Sequence, residues 1–520
     1  MNPRYLLVLL ACVLVGCGTK GGEGSRWVPA EAELSLVAPS IAELRDQLEV
    51  FLAGIEGASG LIDLTEARVG LDLRSRAGLQ ASGIDPDTSL SLFMHQGALC
   101  VAFGVSDVEA FDARMKRQIS RYGEGRLDAV QEDSGLLGSF RSKEVDAPWS
   151  LAWGKGSDHV GLVLWQMAEL DAQERWRALA QGPHDNLTRL EQAKEALGAE
   201  SGLHITMRGA PSPPSHWQLG PLNMLLAPLT GGLNSWEGTW VFGATRTAFK
   251  LDGAWGGDGE LASDWFQPAG EHIELTRSIP KSQTLTLRAR LNPRKVLAIP
   301  SFIRNRFLPK RVPGPLSMLL PPTEELLGLL NGDIALTLLG IDESATLEDA
   351  LGPVDAAKLL QFIHAGVLVG VTDADAARVA VAAARHHLKE RGWFPAPLEA
   401  GGWQGVALRD KERSALWSIL YRGNQVAILS GGGEVARMIQ VAEGQALSLA
   451  ASAESEVEKA AVSSEDLAFG LSASFRRVTR ELASKGAPPY FLKMVNDIRS
   501  LSGALSATKK GVSLSLEVRL

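Results

Sequence analysis

Hydrophobic and polar positions alternate with a period of two over several stretches of this chain. Leu285, Leu287, Ala289 and Leu291 alternate with Thr286, Arg288 and Arg290. Near the end, Val512, Leu514, Leu516, Val518 and Leu520 alternate with Ser513, Ser515, Glu517 and Arg519. Successive strand residues point to opposite faces, so each stretch predicts a strand of an antiparallel sheet with one face covered and the other wet. Strand-like runs also follow one another directly: Ser89–Met94, Leu99–Phe103, Leu136–Phe140, Trp149–Trp153 and Val160–Leu164. Consecutive strands make hairpins.

Helical patterns intervene. Ser40 and Glu43 have capping-box spacing ahead of Leu44, Leu48, Phe51 and Leu52. Asn292-Pro293 supplies a cap and a first-turn proline. Ser106 with Glu109, and Thr372 with Asp375, predict the starts of two longer helices. Asp107 and Asp373 then fall in the first turn, where a carboxylate meets the positive end of the helix dipole. The expected fold class is α+β, with mainly antiparallel sheet covered by helices.

Four motifs occur twice in the same order. Val28-Pro29 with Leu34-Ser35-Leu36 returns as Ile279-Pro280 with Leu285-Thr286-Leu287. Gly104-Val105-Ser106-Asp107 returns as Gly370-Val371-Thr372-Asp373, and Trp149-Ser150-Leu151-Ala152-Trp153 as Trp417-Ser418-Ile419-Leu420-Tyr421. Gly243-Ala244-Thr245 returns as Ser506-Ala507-Thr508. Such internal similarity predicts a duplicated domain. The expected organisation is a first α+β repeat over 27–255, a linker over 256–277 and a second repeat over 278–520, with Leu308–Pro322 as an insertion in the second.

Composition narrows the functional classes. A chain of 520 residues is too long for one core, which agrees with two domains. The net charge of -8 gives no electrostatic reason to seek nucleic acid, so no nucleic-acid partner is expected. The three cysteines are Cys12, Cys17 and Cys100. Cys100 lies in the apolar run Ala98-Leu99-Cys100-Val101-Ala102-Phe103, which predicts a buried small hydrophobe and not a nucleophile.

The start of the chain has signal-peptide anatomy: Arg4, an uncharged stretch from Tyr5 to Val15, and Leu14-Val15-Gly16-Cys17. The apolar run is about eleven residues, short of the roughly 20 that a spanning helix needs. Leu-Val-Gly-Cys resembles the lipobox of bacterial lipoproteins. The resemblance implies cleavage of a signal peptide over 1–16, a diacylglyceryl thioether on Cys17 and an acylated new amino terminus. Several acyl chains, at about 0.8 kcal/mol per buried methylene, hold such a protein on a membrane. Residues 17–26 then form the lipidated cysteine and a glycine-rich tether. Gly18 in place of an Asp after the cysteine favours the outer membrane over inner-membrane retention.

Other candidate chemistry has simpler explanations. His386-His387 are neighbours, about 100° apart on a helix, whereas shared metal ligation needs i and i+4; a solvated helix end is the better reading. Ser430-Gly431-Gly432-Gly433 sits between a strand and a helix, as phosphate-binding loops do, but matches neither GxGxxG nor a P-loop, so a tight turn is favoured. Trp149, Trp153, Trp165 and Trp176 are read as core aromatics before a ligand platform. Asn186-Leu187-Thr188 fits a glycosylation sequon without meaning in a bacterial lipoprotein, and Pro211-Ser212-Pro213-Pro214 reads as a loop. No catalytic, metal or cofactor site is expected.

The sequence thus predicts a lipid-anchored envelope protein facing the periplasm, with a non-catalytic binding or scaffolding role. Its partners are the membrane, through acyl chains on Cys17, and an apolar ligand or an envelope protein. The competing reading is an envelope hydrolase assembled from scattered residues such as His204, Asp158 and Glu144, since such sites are defined by geometry and not by order. A spacer without a pocket is the third.

Overall fold

The computed structural model describes residues 27–38, 41–55, 75–122, 125–129, 135–142, 149–156, 160–167, 171–180, 202–208, 233–255, 264–266, 271–298, 329–341, 363–390, 394–409, 415–484, parts of 486–499, 500–508 and 511–520. They divide into two compact units at Gly253 and Ala254.

Unit 1 contains strands β1 (Leu34–Ala38), β2 (Leu90–His95), β3 (Ala98–Gly104), β4 (Gly125–Ala129), β5 (Leu136–Ser142), β6 (Trp149–Lys155), β7 (Val160–Met167), β8 (Leu203–Arg208), β9 (Leu233–Phe242) and β10 (Arg246–Trp255). Its helices are α1 (Ile41–Ala53), α2 (Arg76–Ala81), α3 (Val108–Tyr122) and α4 (Ala172–Ala180). The strand order is β4–β5–β6–β7–β3–β2–β1–β8–β9–β10.

Unit 2 contains β11 (Leu285–Arg290), β12 (Leu330–Ile341), β13 (Ile363–Val371), β14 (Ala396–Ala400), β15 (Trp403–Arg409), β16 (Ala415–Arg422), β17 (Gln425–Ser430), β18 (Leu467–Ser474), β19 (Ser500–Ala507) and β20 (Gly511–Arg519). Its helices are α5 (Pro293–Ala298), α6 (Ala374–Glu390), α7 (Gly432–Ala442), α8 (Glu456–Ser463) and α9 (Phe475–Ser484). The strand order is β14–β15–β16–β17–β13–β12–β11–β18–β19–β20. Strand for strand, this is the order of unit 1. Helices also recur at the same points: α3 and α6 follow the third strand of each unit, α4 and α7 the seventh.

This architecture corrects the expected α+β class with helix-covered sheets. Antiparallel sheet dominates: the described residues hold twenty strands against nine α-helices, and every described register is antiparallel. The physical reason is that hairpin follows hairpin with few interruptions, so sheet grows by local pairing while helices fill only some of the connections.

Where helices do pack, they bury one stripe each. In unit 1, Ile41 and Leu44 of α1 and Phe111 and Ile119 of α3 share a core with Leu90, Leu92, Val101, Phe103 and Trp153. On the opposite face, Trp176 of α4 packs with Trp27, Phe93, Cys100 and Leu164. In unit 2, Ala377, Val381, Ala384 and Leu388 of α6 pack on Val406, Ile419 and Ile428. Val435 and Met438 of α7, with Ala461 and Val462 of α8, pack on the other face against Trp403, Leu420 and Leu429. Among the described residues, no helix is long and apolar enough to cross a membrane.

Candidate functional site

Among the described residues, those singled out in the sequence form no single cluster. Cys17, Glu144, Asp158, Asn186-Leu187-Thr188, Pro211–Pro214 and Leu308–Pro322 lie outside the described residues. His204 is buried on β8, opposite Val37 and Thr239. Cys100 is fully buried between Phe93 and Leu164, and burial pushes its thiol up to about 12, a small Arg175 charge effect notwithstanding. Trp153 and Trp176 have no exposed surface: the Trp153 indole donates to Asp112 Oδ1 at 3.0 Å, and that of Trp176 to the Leu162 carbonyl at 2.9 Å. Gly138 gives Trp153 its seat, since a Cβ there would lie 2.3 Å from the indole. These aromatics are core residues.

Asp107 and Asp373 act at helix starts. Asp107 Oδ1 accepts the amides of Glu109 and Ala110, both at 3.0 Å, and Asp373 Oδ1 that of Ala376 at 2.7 Å. The aspartates, not Ser106 and Thr372, therefore supply the capping oxygens. His386 is exposed and pairs with Glu390 at 3.2 Å. In the glycine triplet, Gly431 has φ +84, a left-handed conformation that glycine adopts without strain, and precedes α7. The first turn of that helix carries its own buried carboxylate, Glu434, bound by Arg437 at 2.9 and 3.1 Å. Ser430 Oγ spans the Ala365 backbone, accepting its amide at 2.7 Å and donating to its carbonyl at 3.1 Å. Among the described residues, no group of three or more His, Cys, Asp or Glu has the spacing to hold a metal ion.

Among the described residues, the unit 2 sheet also carries a part-exposed apolar face. Cross-strand pairing aligns Val367, Leu336, Leu287, Leu471, Gly503 and Leu516 in one row over six strands. A flanking row runs Ala365, Leu338, Leu285, Ala473, Leu501 and Val518, and the other runs Val369, Ile334, Ala289, Phe469, Leu505 and Leu514. Every residue in these rows is apolar, yet all but Gly503 are exposed or part-exposed. Leu287 and Leu336, directly opposite each other, are 45% and 47% exposed.

The matching row in unit 1 has the same chemistry and the opposite environment. Following the equivalent ladders, it runs Val101, Leu92, Leu36, Ile205 and Gly238. Val101, Leu92 and Ile205 are buried, and α1 lays Ile41, Leu44, Leu48 and Phe51 into the same cluster. Among the described residues, α1 is 13 residues long, whereas α5, after the corresponding strand of unit 2, has 6. Among the described residues, α1 covers this face in unit 1, whereas the unit 2 rows stay part-exposed, with Val367 and Val369 packed against the α6 cluster and Phe469 against Phe266.

Beneath that open face the sheet is polar and buried, an inversion of the expected wet and covered sides. Thr286, Arg288, Arg290, Asp333, Thr337, Ser502 and Glu517 are all buried there. Asp333 and Arg290 sit opposite each other on neighbouring strands, with Oδ1 to Nε at 3.0 Å. Arg288 and His272 approach the same oxygen at 3.7 and 3.5 Å. Asp333 Oδ2 accepts the Ile273 amide at 2.9 Å and the Asn331 side chain at 3.3 Å. Burial alone would raise the Asp333 carboxyl, but hydrogen bonds from His272 and the Ile273 amide, with the Arg290 charge, hold it below the ordinary value of 3.8. Burial lowers Arg288 to about 10, partly opposed by Asp333. This centre ties β11, β12 and the segment before them together under the apolar rows. Arginines alternating with leucines look like a solvated face in sequence; only the Arg290–Asp333 pairing reveals a buried one.

No protein-family model matches the chain, and no curated protein does. Among solved structures, crystal form III of TP0453 is similar at 12% identity and a TM-score of 0.28, covering 49% of this chain and 90% of that one. Crystal form I of TP0453 is similar at 11% identity and a TM-score of 0.27, covering 45% and 80% respectively.

Proposed function

We propose that this protein is a lipid-anchored protein of the cell envelope, held through acylated Cys17 on the outer membrane and facing the periplasm, whose body binds an apolar ligand and does not catalyse a reaction. The anchor rests on Leu14-Val15-Gly16-Cys17. The binding role rests on one observation: among the described residues, Val101, Leu92 and Ile205 of this row are buried in unit 1, where α1 packs, while the counterpart row stands part-exposed around Leu287 and Leu336 in unit 2. Exposed apolar surface gains about 25 cal/mol per Å2 when covered, so the face has a standing drive to take an apolar occupant. Six strands about 4.8 Å apart place roughly 24 Å between the first and last members of a row, which suits an elongated ligand such as an acyl chain.

Two measurements test this reading. Metabolic labelling with a fatty acid should mark the wild type and leave Cys17→Ala unlabelled; equal label would remove the anchor. A dye whose fluorescence rises in apolar surroundings, displaced by a long-chain fatty acid, should bind wild type at least tenfold more tightly than Leu287→Asp or Leu336→Asp. Both positions are exposed, so melting should shift little. Val50→Asp, on the 48% exposed Val50 of α1, should bind like wild type. Unchanged binding by both leucine variants would sink the apolar-ligand reading.

A further inference from the structure

A second surface of unit 2 has a different chemistry. Helix α6 turns Ala377, Val381, Ala384 and Leu388 onto the sheet. Its flank carries Arg378, Ala382, Arg385, His386 and Lys389, which wall a groove of about 530 Å3 over β14–β16. The floor is a cross-strand row of Glu399, Gln404 and Tyr421. Tyr421 Oη donates to Gln404 Oε1 at 2.7 Å, and Gln404 Nε2 donates to Glu399 Oε1 at 3.0 Å. That chain of bonds holds the floor flat and polar.

The groove reverses the sign of the molecule around it. The chain carries a net charge of -8, yet three lining residues are cations and one, Glu399, is an anion. Arg378 is already paired with Asp375 at 3.0 Å. The Arg385 guanidinium and Lys389 ammonium have no carboxylate partner among the described residues, and both are exposed. At 1.5 Å of rise per residue, Arg378 and Lys389 stand about 16 Å apart along the helix, and Arg385 and Lys389 about 6 Å. Cations strung along a line do not converge on a small anion. They match an extended chain, whose side chains return to the same side every 6–7 Å or so.

The outer edge of β14 does not itself invite a strand. It has no strand partner beyond β15 among the described residues, but Pro397, its second residue, lacks an N–H to donate. Recognition must therefore come from side chains in the groove. We infer that this groove binds an extended acidic segment of a protein partner, with carboxylates two residues apart meeting Arg385 and Lys389. The inference is independent of the apolar face and of any ligand bound there.

Fluorescence anisotropy with the intact protein tests it. The probe is a labelled five-residue peptide with Glu at its second and fourth positions and apolar residues elsewhere. Binding should weaken about tenfold or more in Arg385→Glu and again in Lys389→Glu, as loss of each charge pair requires, and should fall with added salt. The Gln counterpart of the peptide should not bind. Both substitutions are on exposed helix positions, and unchanged melting curves confirm folding. Binding that survives both charge reversals, or absence of binding by wild type at low salt, overturns the proposal. Equal competition by inorganic phosphate, or by vesicles of anionic lipid, also overturns it, by assigning the groove to a small anion or to a membrane.

Discussion

Asp333 shows how much one residue can carry. It is fully buried, faces two arginines and accepts a backbone amide, and its carboxylate offsets both Arg288 and Arg290, with Glu274 adding a lesser pull on Arg288. Its folded-state carboxyl lies below the ordinary 3.8. A depressed carboxyl stabilises the fold above its unfolded value and loses that contribution as pH falls through the folded one. Melting temperature should therefore drop on acidification below about pH 4. Asp333→Ala should cost about 3–5 kcal/mol, because it leaves two buried guanidinium groups unpaired. Asp333→Asn should lower stability and flatten the acid limb of the melting-temperature profile. A variant that melts like wild type at every pH would mean that the cluster is electrostatically neutral to folding.

At the scale of elements, the helices are placed by caps and by what they cover. Asp373→Ala should destabilise α6 by about 1 kcal/mol, read by thermal melting, whereas Asp373→Asn should cost only a few tenths because Asn also caps. The sequence already contained the starts of α3 and α6, displaced by one residue, because the Ser-Asp and Thr-Asp pairs offer two oxygens and only geometry chooses between them. The strand alternation was equally legible. What alternation cannot say is which of its two faces is covered. Leu514, Leu516 and Val518 alternate cleanly with Ser515 and Glu517, yet Glu517 is the buried member and the leucines are part-exposed. Coverage depends on helices from distant connections, so neither the open apolar face nor the buried arginines were readable locally. The basic groove was visible only as His386 and its neighbours, without the strands that make its floor.

Across the whole molecule the same ten-strand order occurs twice, and the repeated motifs mark it with differing accuracy. Leu34 with Leu285, and Gly104 with Gly370, fall level in the ladders. Trp153 falls level with Ile419, and Lys155 with Tyr421, so the Trp149–Trp153 and Trp417–Tyr421 motifs are two residues out of step. A slip of two keeps every side chain on its own face, which is why the resemblance survives it. The open face has a thermal consequence. Hydration of apolar surface dominates the heat-capacity change of unfolding, so a sheet that keeps three six-residue apolar rows part-exposed while folded has less to expose on unfolding. Calorimetry should show a smaller heat-capacity increment for unit 2 than for unit 1. Binding of a long-chain fatty acid should carry a negative heat-capacity change and move the unit 2 transition upward. A ligand on the part-exposed rows would add to the buried apolar surface of unit 2, and the calorimeter would register the ligand as though it were part of the fold.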